Sequence, residues 1–117
     1  MLVLMIYCVA ISTAAVTYKV GDEEGWDPVV SMESWTKGKT FFAGDVLEFI
    51  YDDPYDVAVV NKTAHDDCSL NDASIVLERT GDNKYTLPFG ANYFIDSHPD
   101  ICALGLKMAI DAKAPPT

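Results

Sequence analysis

The chain has 117 residues, a length typical of a single domain. Its 18 acidic and 8 basic side chains give a formal net charge of -10. Such a surface repels nucleic acid phosphates and anionic lipid head groups, so we expect neither as a partner. The charge suits solubility, and it leaves contact with a basic partner open.

Residues 1–16 contain no charged side chain and end in a run of small residues. An apolar run followed by small residues is typical of a cleavable secretory signal peptide, and this run is shorter than the roughly 20 residues that span a bilayer. The alternative is a buried first strand, which is disfavoured because the next segment already begins a strand. We therefore predict cleavage between Ala14 and Thr17, a folded domain over 17–112, and export.

Short apolar segments separated by glycine, aspartate and proline make up the rest of the chain. In chain order they predict strands at residues 17–20, 40–42, 46–51, 56–60, 74–78, 85–87, 92–95 and 106–112. Turns are predicted at 21–25, 44–45, 52–54 and 81–83, and one helical turn at 64–68. Strands at this spacing, with no long amphipathic helix, predict an all-β sandwich or barrel.

The last residues, 113–117, contain two prolines and predict a disordered tail. No apolar segment follows them, so the sequence gives no indication of a lipid anchor.

Three cysteines divide between the two predicted parts of the chain. Cys8 lies in the predicted signal peptide and would be removed with it. Cys68 and Cys102 remain, and an even number of cysteines in an exported chain indicates one disulfide. An oxidising compartment disfavours the alternative of two free thiols.

One tripeptide matches the acceptor pattern for N-linked glycosylation. Asn61, Lys62 and Thr63 form an Asn-x-Thr sequon. In an exported chain the match predicts a surface loop that carries a glycan at Asn61, although short matches also arise by chance and remain unused.

Ordered motifs along the chain resemble the phytocyanins, plant blue-copper proteins with a cupredoxin Greek-key β-sandwich. The motifs are YKVG at 18–21, GW at 25–26, Trp35, KTF at 39–41, GDVL at 44–47, YFI at 93–95, Cys102, Gly105 and Lys107. The resemblance covers about residues 17–112. It implies a cupredoxin-like all-β fold with short helical turns, and a Cys68–Cys102 disulfide.

The family resemblance also locates four copper-ligand positions in this sequence. Phytocyanins hold copper with two histidines, one cysteine and an axial methionine or glutamine. The corresponding residues here are Tyr55 and Ile101 for the histidines, Asp96 for the cysteine and Leu106 for the axial ligand. A blue-copper site requires a thiolate and imidazoles, and none of these four residues supplies either.

These replacements predict a chain that keeps the scaffold and lacks the redox centre, as in the copper-free early nodulin-like proteins. We therefore expect no copper and no other cofactor. Blue-copper electron transfer, the role of the family's copper-binding members, is the alternative. Neither a Gly-x-Ser-x-Gly elbow nor a phosphate-binding glycine loop occurs in the sequence, and we predict no enzyme activity.

Two small clusters could hold zinc instead, although solvated polar loops are the favoured interpretation. The first cluster is Asp96, His98 and Asp100, which alternate along the chain and would point the same way on an extended segment. The second cluster is His65, Asp66 and Asp67.

The resemblance places the loop that carries Tyr55 beside the loop that carries Asp96. Loops at one end of a sandwich are common binding sites. We therefore predict an acidic, hydrogen-bonding surface of Tyr55, Asp56, Asp96, His98 and Asp100. The expected partner is an extracellular protein, a peptide or a wall glycan, bound by a monomeric protein in the apoplast or at the cell surface.

Overall fold

The computed structural model describes residues 14–115. Most of the predicted signal peptide therefore lies outside the described residues. Eight strands, three short α-helices and one 3-10 helix follow one another in this range: β1 (Thr17–Lys19), the 3-10 helix (Asp22–Glu24), α1 (Met32–Thr36), β2 (Phe41–Phe42), β3 (Val46–Ile50), β4 (Ala58–Val60), α2 (Lys62–Asp67), β5 (Ile75–Val76), β6 (Asp82–Thr86), β7 (Gly90–Ile95), α3 (Pro99–Ala103) and β8 (Lys107–Lys113).

The strands form two sheets that enclose the main core. One sheet has the order β1-β3-β6, and the other has the order β2-β8-β7-β4-β5. Alternating burial fits the twofold period of a strand, since Leu47 and Phe49 of β3 and Met108 and Ile110 of β8 are buried between outward-facing neighbours. The all-β, two-sheet prediction is confirmed.

Aromatic side chains occupy the centre of this core. Trp26 is fully buried and meets Phe49 edge-on, with ring centroids 5.2 Å apart. Phe49 in turn packs against Phe94 of the other sheet at 5.2 Å. Such contacts link the sheets through large apolar surfaces.

A second, smaller core lies on the outer face of the five-stranded sheet. Ala58 and Val60 of β4 and Ile95 of β7 pack there with the two cysteines. The disulfide joins Cys68, at the end of α2, to Cys102 in α3, with the Cα atoms 5.6 Å apart. The predicted disulfide is confirmed, and it ties the two helices to this sheet.

Several predicted boundaries are wrong, including those of β5 and β7, which span Ile75–Val76 and Gly90–Ile95. Residues Asp82 and Asn83, predicted as a turn, begin β6 and pair with Ile50 and Phe49 of β3, so the turn is confined to the residues around Gly81. Strand β4 begins at Ala58 rather than at residue 56. Strand β8 includes Lys113, one residue beyond the predicted domain end, because Lys113 pairs with Phe42.

The sequence analysis did not predict α1 or α3. The Ser31 hydroxyl caps α1 by accepting a hydrogen bond from the Ser34 N–H, and this helix buries Met32 and Trp35. Pro99 stands at the start of α3, where its missing N–H costs no helical hydrogen bond. Within residues 14–115, no helix is long and apolar enough to cross a membrane.

The disulfide predicts a measurable loss of stability on removal. It closes a loop with a sequence separation of 34 residues. Replacing both cysteines (Cys68→Ala with Cys102→Ala) should lower the free energy of unfolding by about 3–4 kcal/mol, because the unfolded chain regains loop entropy. Urea unfolding monitored by Trp fluorescence measures the change, and a loss below about 1 kcal/mol would contradict this account.

Candidate functional site

Three loops meet at one end of the sandwich around two buried carboxylates. Asp56 lies between β3 and β4, and Asp96 directly follows β7. Both side chains are 0% exposed. Burial of ionised carboxylates requires compensating hydrogen bonds and charge, so the neighbours of these two groups define the site.

Asp56 binds side-chain and backbone donors from two other loops. Its Oδ2 accepts hydrogen bonds from Arg79 Nε at 3.1 Å and from Arg79 Nη2 at 3.0 Å. The Ser97 hydroxyl donates to the same oxygen at 2.5 Å, and the Ser97 N–H donates to Oδ1 at 2.7 Å. Charged hydrogen bonds of this kind are stronger than neutral ones, so Asp56 fixes the loop after β7 to the loop before β6.

Asp96 holds the other side of the same loops. Its Oδ2 accepts the Asp56 backbone N–H at 2.9 Å. Its Oδ1 accepts the His98 N–H at 2.8 Å and lies 2.7 Å from His98 Nδ1. Because a carboxylate only accepts, Nδ1 carries the proton and Nε2 is directed elsewhere.

We call Asp56, Arg79, Asp96, Ser97 and His98 the carboxylate network. The Arg79 side chain is 61% exposed and its guanidinium contributes the compensating positive charge, and the His98 side chain is 41% exposed. The network is also tied to the core, since the Trp26 indole donates to the Asp56 carbonyl at 2.8 Å. Each carboxylate oxygen therefore has at least one donor.

The four positions that the family resemblance singled out lie at or beside this network. Leu106 is 0% exposed, and its carbonyl accepts the Asp96 N–H at 3.0 Å. Tyr55 and Ile101 are half-buried and pack against the main core. Asp96 is the one member of the four that takes part in the network directly.

The predicted acidic surface is wrong at two of its five residues. Asp56 and Asp96 are buried, because their charge is used internally on Arg79, Ser97 and His98. Asp100 is exposed in the first turn of α3. Tyr55 and His98 are half-buried, so only part of the predicted surface faces solvent.

Sequence analysis did not identify Arg79 or Ser97. Arg79 is the only arginine of the chain, and it lies 23 residues from Asp56. One signal in the sequence could have pointed to them: Asp56 and Asp96 adjoin apolar strands. A carboxylate that is buried beside such a strand needs a cation or several N–H donors as partners.

The first predicted zinc cluster has a different membership in the structure. Within residues 14–115, Asp56, Asp96 and His98 bring potential ligand atoms within 4.8 Å of one another, but Asp100 does not join them. The extended segment stops at His98, where α3 begins, and the helix takes Asp100 away from the other two. The carboxylates of this group already have protein donors.

The second zinc alternative lies on α2, apart from the carboxylate network. Lys62 Nζ donates to Asp66 Oδ2 at 2.5 Å, and His65 Nδ1 lies 3.0 Å from Oδ1. The hydrogen bond from Lys62, followed by that from His65, lowers the pKa of Asp66 to about 2. These contacts make Asp66 part of a helical i,i+4 ion pair on the surface.

Comparison with known proteins assigns this architecture to a family. The plastocyanin-like domain model matches residues 26–106. The chain belongs to the plastocyanin-like family. The phytocyanin resemblance is thereby confirmed, and so is the cupredoxin fold with one disulfide.

Relatives include plant proteins named as an early nodulin-like protein and as a chemocyanin. The chain is 50% identical over 101 residues to early nodulin-like protein 22 of Arabidopsis thaliana, covering 85% of this chain and 71% of that protein. It is 41% identical over 99 residues to chemocyanin of Lilium longiflorum, covering 84% and 76%.

Solved structures show the same fold. A cucumber basic protein described as a blue copper protein is 38% identical, with a TM-score of 0.76 over 83% of this chain and 99% of that one. Cucumber stellacyanin is 29% identical, with a TM-score of 0.77 over 88% and 100%.

The carboxylate network predicts an energetic coupling between Asp56 and Arg79. Arg79→Met should lower the free energy of unfolding by about 1–3 kcal/mol, since it leaves a buried carboxylate without its cation. Urea unfolding measures this loss. Lys84→Met, at an exposed position of β6, is the control and should change stability by less than about 0.5 kcal/mol.

A double-mutant cycle separates this coupling from general packing effects. Adding Asp56→Asn to Arg79→Met removes the buried charge together with its partner, so the two losses should not add. Strict additivity of the two losses would contradict a direct interaction.

Proposed function

We propose that this chain is an extracellular phytocyanin-like binding or structural module of the plant cell surface or wall that has lost the blue-copper ligands. The observation that carries the proposal is the chemistry at the four ligand positions. Blue-copper electron transfer is the second candidate, because the chain shares its fold with the cucumber basic protein, which is described as a blue copper protein. Function depends on the site rather than on the fold, so the four positions decide between them.

The donor set does not fit copper. Leu106 and Ile101 offer only hydrocarbon, and Leu106 is fully buried. A blue site needs a thiolate and two imidazoles in one plane. Asp96 supplies hard oxygen donors, and its oxygens already accept N–H groups of Asp56 and His98. Tyr55 carries a phenol, which is neither a thiolate nor an imidazole.

The carboxylate network gives this end of the fold its order by means of protein groups. Asp56 joins the segment before β4 to Arg79 and Ser97, so the three loops are connected by charged hydrogen bonds. A buried charged network destabilises the fold when one member is missing, and a complete network favours one loop arrangement. We therefore propose that the end of the sandwich with the carboxylate network is rigid and redox-inactive.

The solvent-facing part of this end offers polar groups to a partner. Tyr55 and His98 are half-buried there, and Asp100 and the Arg79 side chain are exposed. An extracellular protein, a peptide or a wall glycan fits this mixture of aromatic, imidazole and charged groups. No step in this role requires a reacting atom, which agrees with a protein that is not an enzyme.

Export is part of the proposal. Residues 1–16 form the proposed signal peptide, residues 114–117, which follow β8, form the proposed tail, and the disulfide suits an oxidising compartment. Asn61 is exposed at the start of α2, as a glycosylation acceptor requires. Its side-chain oxygen caps the helix by accepting the Ala64 N–H at 3.0 Å, and the amide nitrogen is the atom that a glycan would modify.

Copper titration tests the central claim. Purified protein given Cu(II) should develop no intense blue absorption band and retain no stoichiometric copper after dialysis, because no thiolate is present to bind it. The matched control is a variant that restores all four ligands: Tyr55→His, Asp96→Cys, Ile101→His and Leu106→Met. A blue band in the unmodified protein would overturn the proposal, and a blue band in the restored variant alone would support it strongly.

Glycosylation predicts a mass change in protein secreted from plant cells. Treatment with a peptide N-glycanase that accepts plant glycans should lower the mass measured by mass spectrometry. Thr63→Ala should abolish the shift without altering the helix cap. Asn61→Asp should also abolish it while keeping an oxygen for the Ala64 N–H, so stability should change by less than about 1 kcal/mol. An unshifted mass for the native sequence would show that the sequon is unused.

A further inference from the structure

One edge of β8 has no strand beside it for most of its length. β8 pairs with β7 from Lys107 to Ala112. On its other side it pairs with β2, which reaches only Ala112 and Lys113. Within the described residues, the edge from 107 to 111 therefore has no strand neighbour, and α1 packs nearby instead.

The hydrogen-bond pattern identifies which backbone groups face this open edge. The Asp96 N–H donates to the Leu106 carbonyl, in the register that joins β7 to β8. In an antiparallel ladder the bonded residues alternate, so the even-numbered residues of β8 face β7 and the odd-numbered ones face away. The Lys113 carbonyl agrees with this alternation, because it accepts the Ala43 N–H from the β2 side.

Ala109 therefore directs both its N–H and its carbonyl to the open edge. Among the described residues, neither group has a strand partner, and neither takes part in a backbone hydrogen bond outside the strands. Ala109 is also exposed. A free donor and acceptor at strand spacing match an extended peptide backbone, which a glycan does not provide.

Two adjoining grooves follow this edge, with volumes of about 570 and about 240 Å³. Ala109 and Thr36 line both of them. The larger groove has buried Met108 beneath it, and two exposed apolar side chains line it: Val29 at 74% and Leu104 at 73% exposure. Exposed apolar side chains around a groove mark an interaction site.

Charge distinguishes the groove from the rest of the surface. Three lysines and two acidic residues line the two grooves, a formal balance of +1, whereas the chain carries -10. A second copy of the chain would bring another -10 and be repelled at long range. A neutral peptide meets no such repulsion, and a peptide with one or two acidic residues meets much less of it than a second copy. The lining residues that carry this charge are Lys39, Lys107, Lys113, Glu33 and Asp111.

We propose that the open edge of β8 is a strand-addition site for an extended segment of an extracellular protein, with apolar side chains at alternate positions and neutral or acidic flanks. The segment would add beside residues 107–111, in line with β2, and would place an apolar side chain against Val29 and Leu104. The inference rests on the binding role proposed above but uses a different surface from Tyr55, His98 and Asp100.

A designed peptide tests the site directly. The probe is a fluorescein-labelled heptapeptide with valine and threonine alternating and one glutamate at each end, measured by fluorescence anisotropy. It should bind saturably, and hydrogen exchange of the Ala109 and Asp111 amides should slow in the complex. Two N-methylated versions of the peptide each block every second amide N–H, so that each loses the donors on one of its two edges. Only methylation of the edge that faces β8 should abolish binding.

Protein variants locate the binding on the surface. Val29→Glu and Leu104→Glu should each weaken binding at least about tenfold, since apolar contacts in an interface centre carry much of the affinity. Phe89→Glu is the matched control: Phe89 is 71% exposed and lines neither groove, so binding should be unchanged. Circular dichroism verifies that all three variants fold.

Several results would overturn the strand-addition site. These are the absence of binding at millimolar peptide, equal effects of both N-methylated peptides, or undiminished binding by Val29→Glu and Leu104→Glu. Loss of binding in Tyr55→Ala alone would move the peptide to the carboxylate-network end. A dimer in sedimentation experiments that Leu104→Glu dissociates would make a second copy the occupant. None of these outcomes alters the copper result, which tests the proposed function separately.

Discussion

Two carboxylates that the fold excludes from water govern the end of this sandwich. Asp56 and Asp96 sit in a low-dielectric environment, where an unmatched charge would be very unfavourable. Arg79 supplies the opposite charge, while Ser97 and His98 supply N–H and O–H donors. Because these partners come from separate loops, the hydrogen bonds that compensate the two charges also order the loops.

The network is joined to the core rather than added to its surface. The Trp26 indole bonds the Asp56 carbonyl, and the same ring packs on Phe49 between the sheets. The Leu106 carbonyl accepts the Asp96 N–H, and the Leu106 side chain fills the core below. In a plastocyanin-like protein, hydrogen bonds between protein groups thus order this end of the sandwich.

Local pattern was sufficient to predict most strands. The alternation of Leu47 and Phe49 in β3, and of Met108 and Ile110 in β8, is a twofold period that a sequence displays directly. Five-residue helices such as α1 and α3 show too few turns for a helical period, so they were not predicted. Asp82 and Asn83 resemble turn residues, but pairing with β3 outweighs that preference.

The site was only partly predictable, because burial of a polar group is decided by partners distant in sequence. Asp56 and Asp96 were expected on the surface because the family resemblance places them in loops at one end of the sandwich. Their buried state depends on Arg79, 23 residues from Asp56, and on contacts between residues 40 and 41 positions apart. No local pattern contains that information. The disulfide was predictable because only two cysteines remained to pair.

The residue that caps α2 connects glycosylation with access to the larger groove beside β8. Asn61 starts the helix, and His65, four residues later, lines the larger groove beside β8. Residues four apart lie on the same side of a helix, roughly one turn of 5.4 Å away. A glycan on Asn61 would therefore project into the solvent next to that groove. Cells that trim or extend the sugar would then change which ligands can approach, without altering a single residue of the protein.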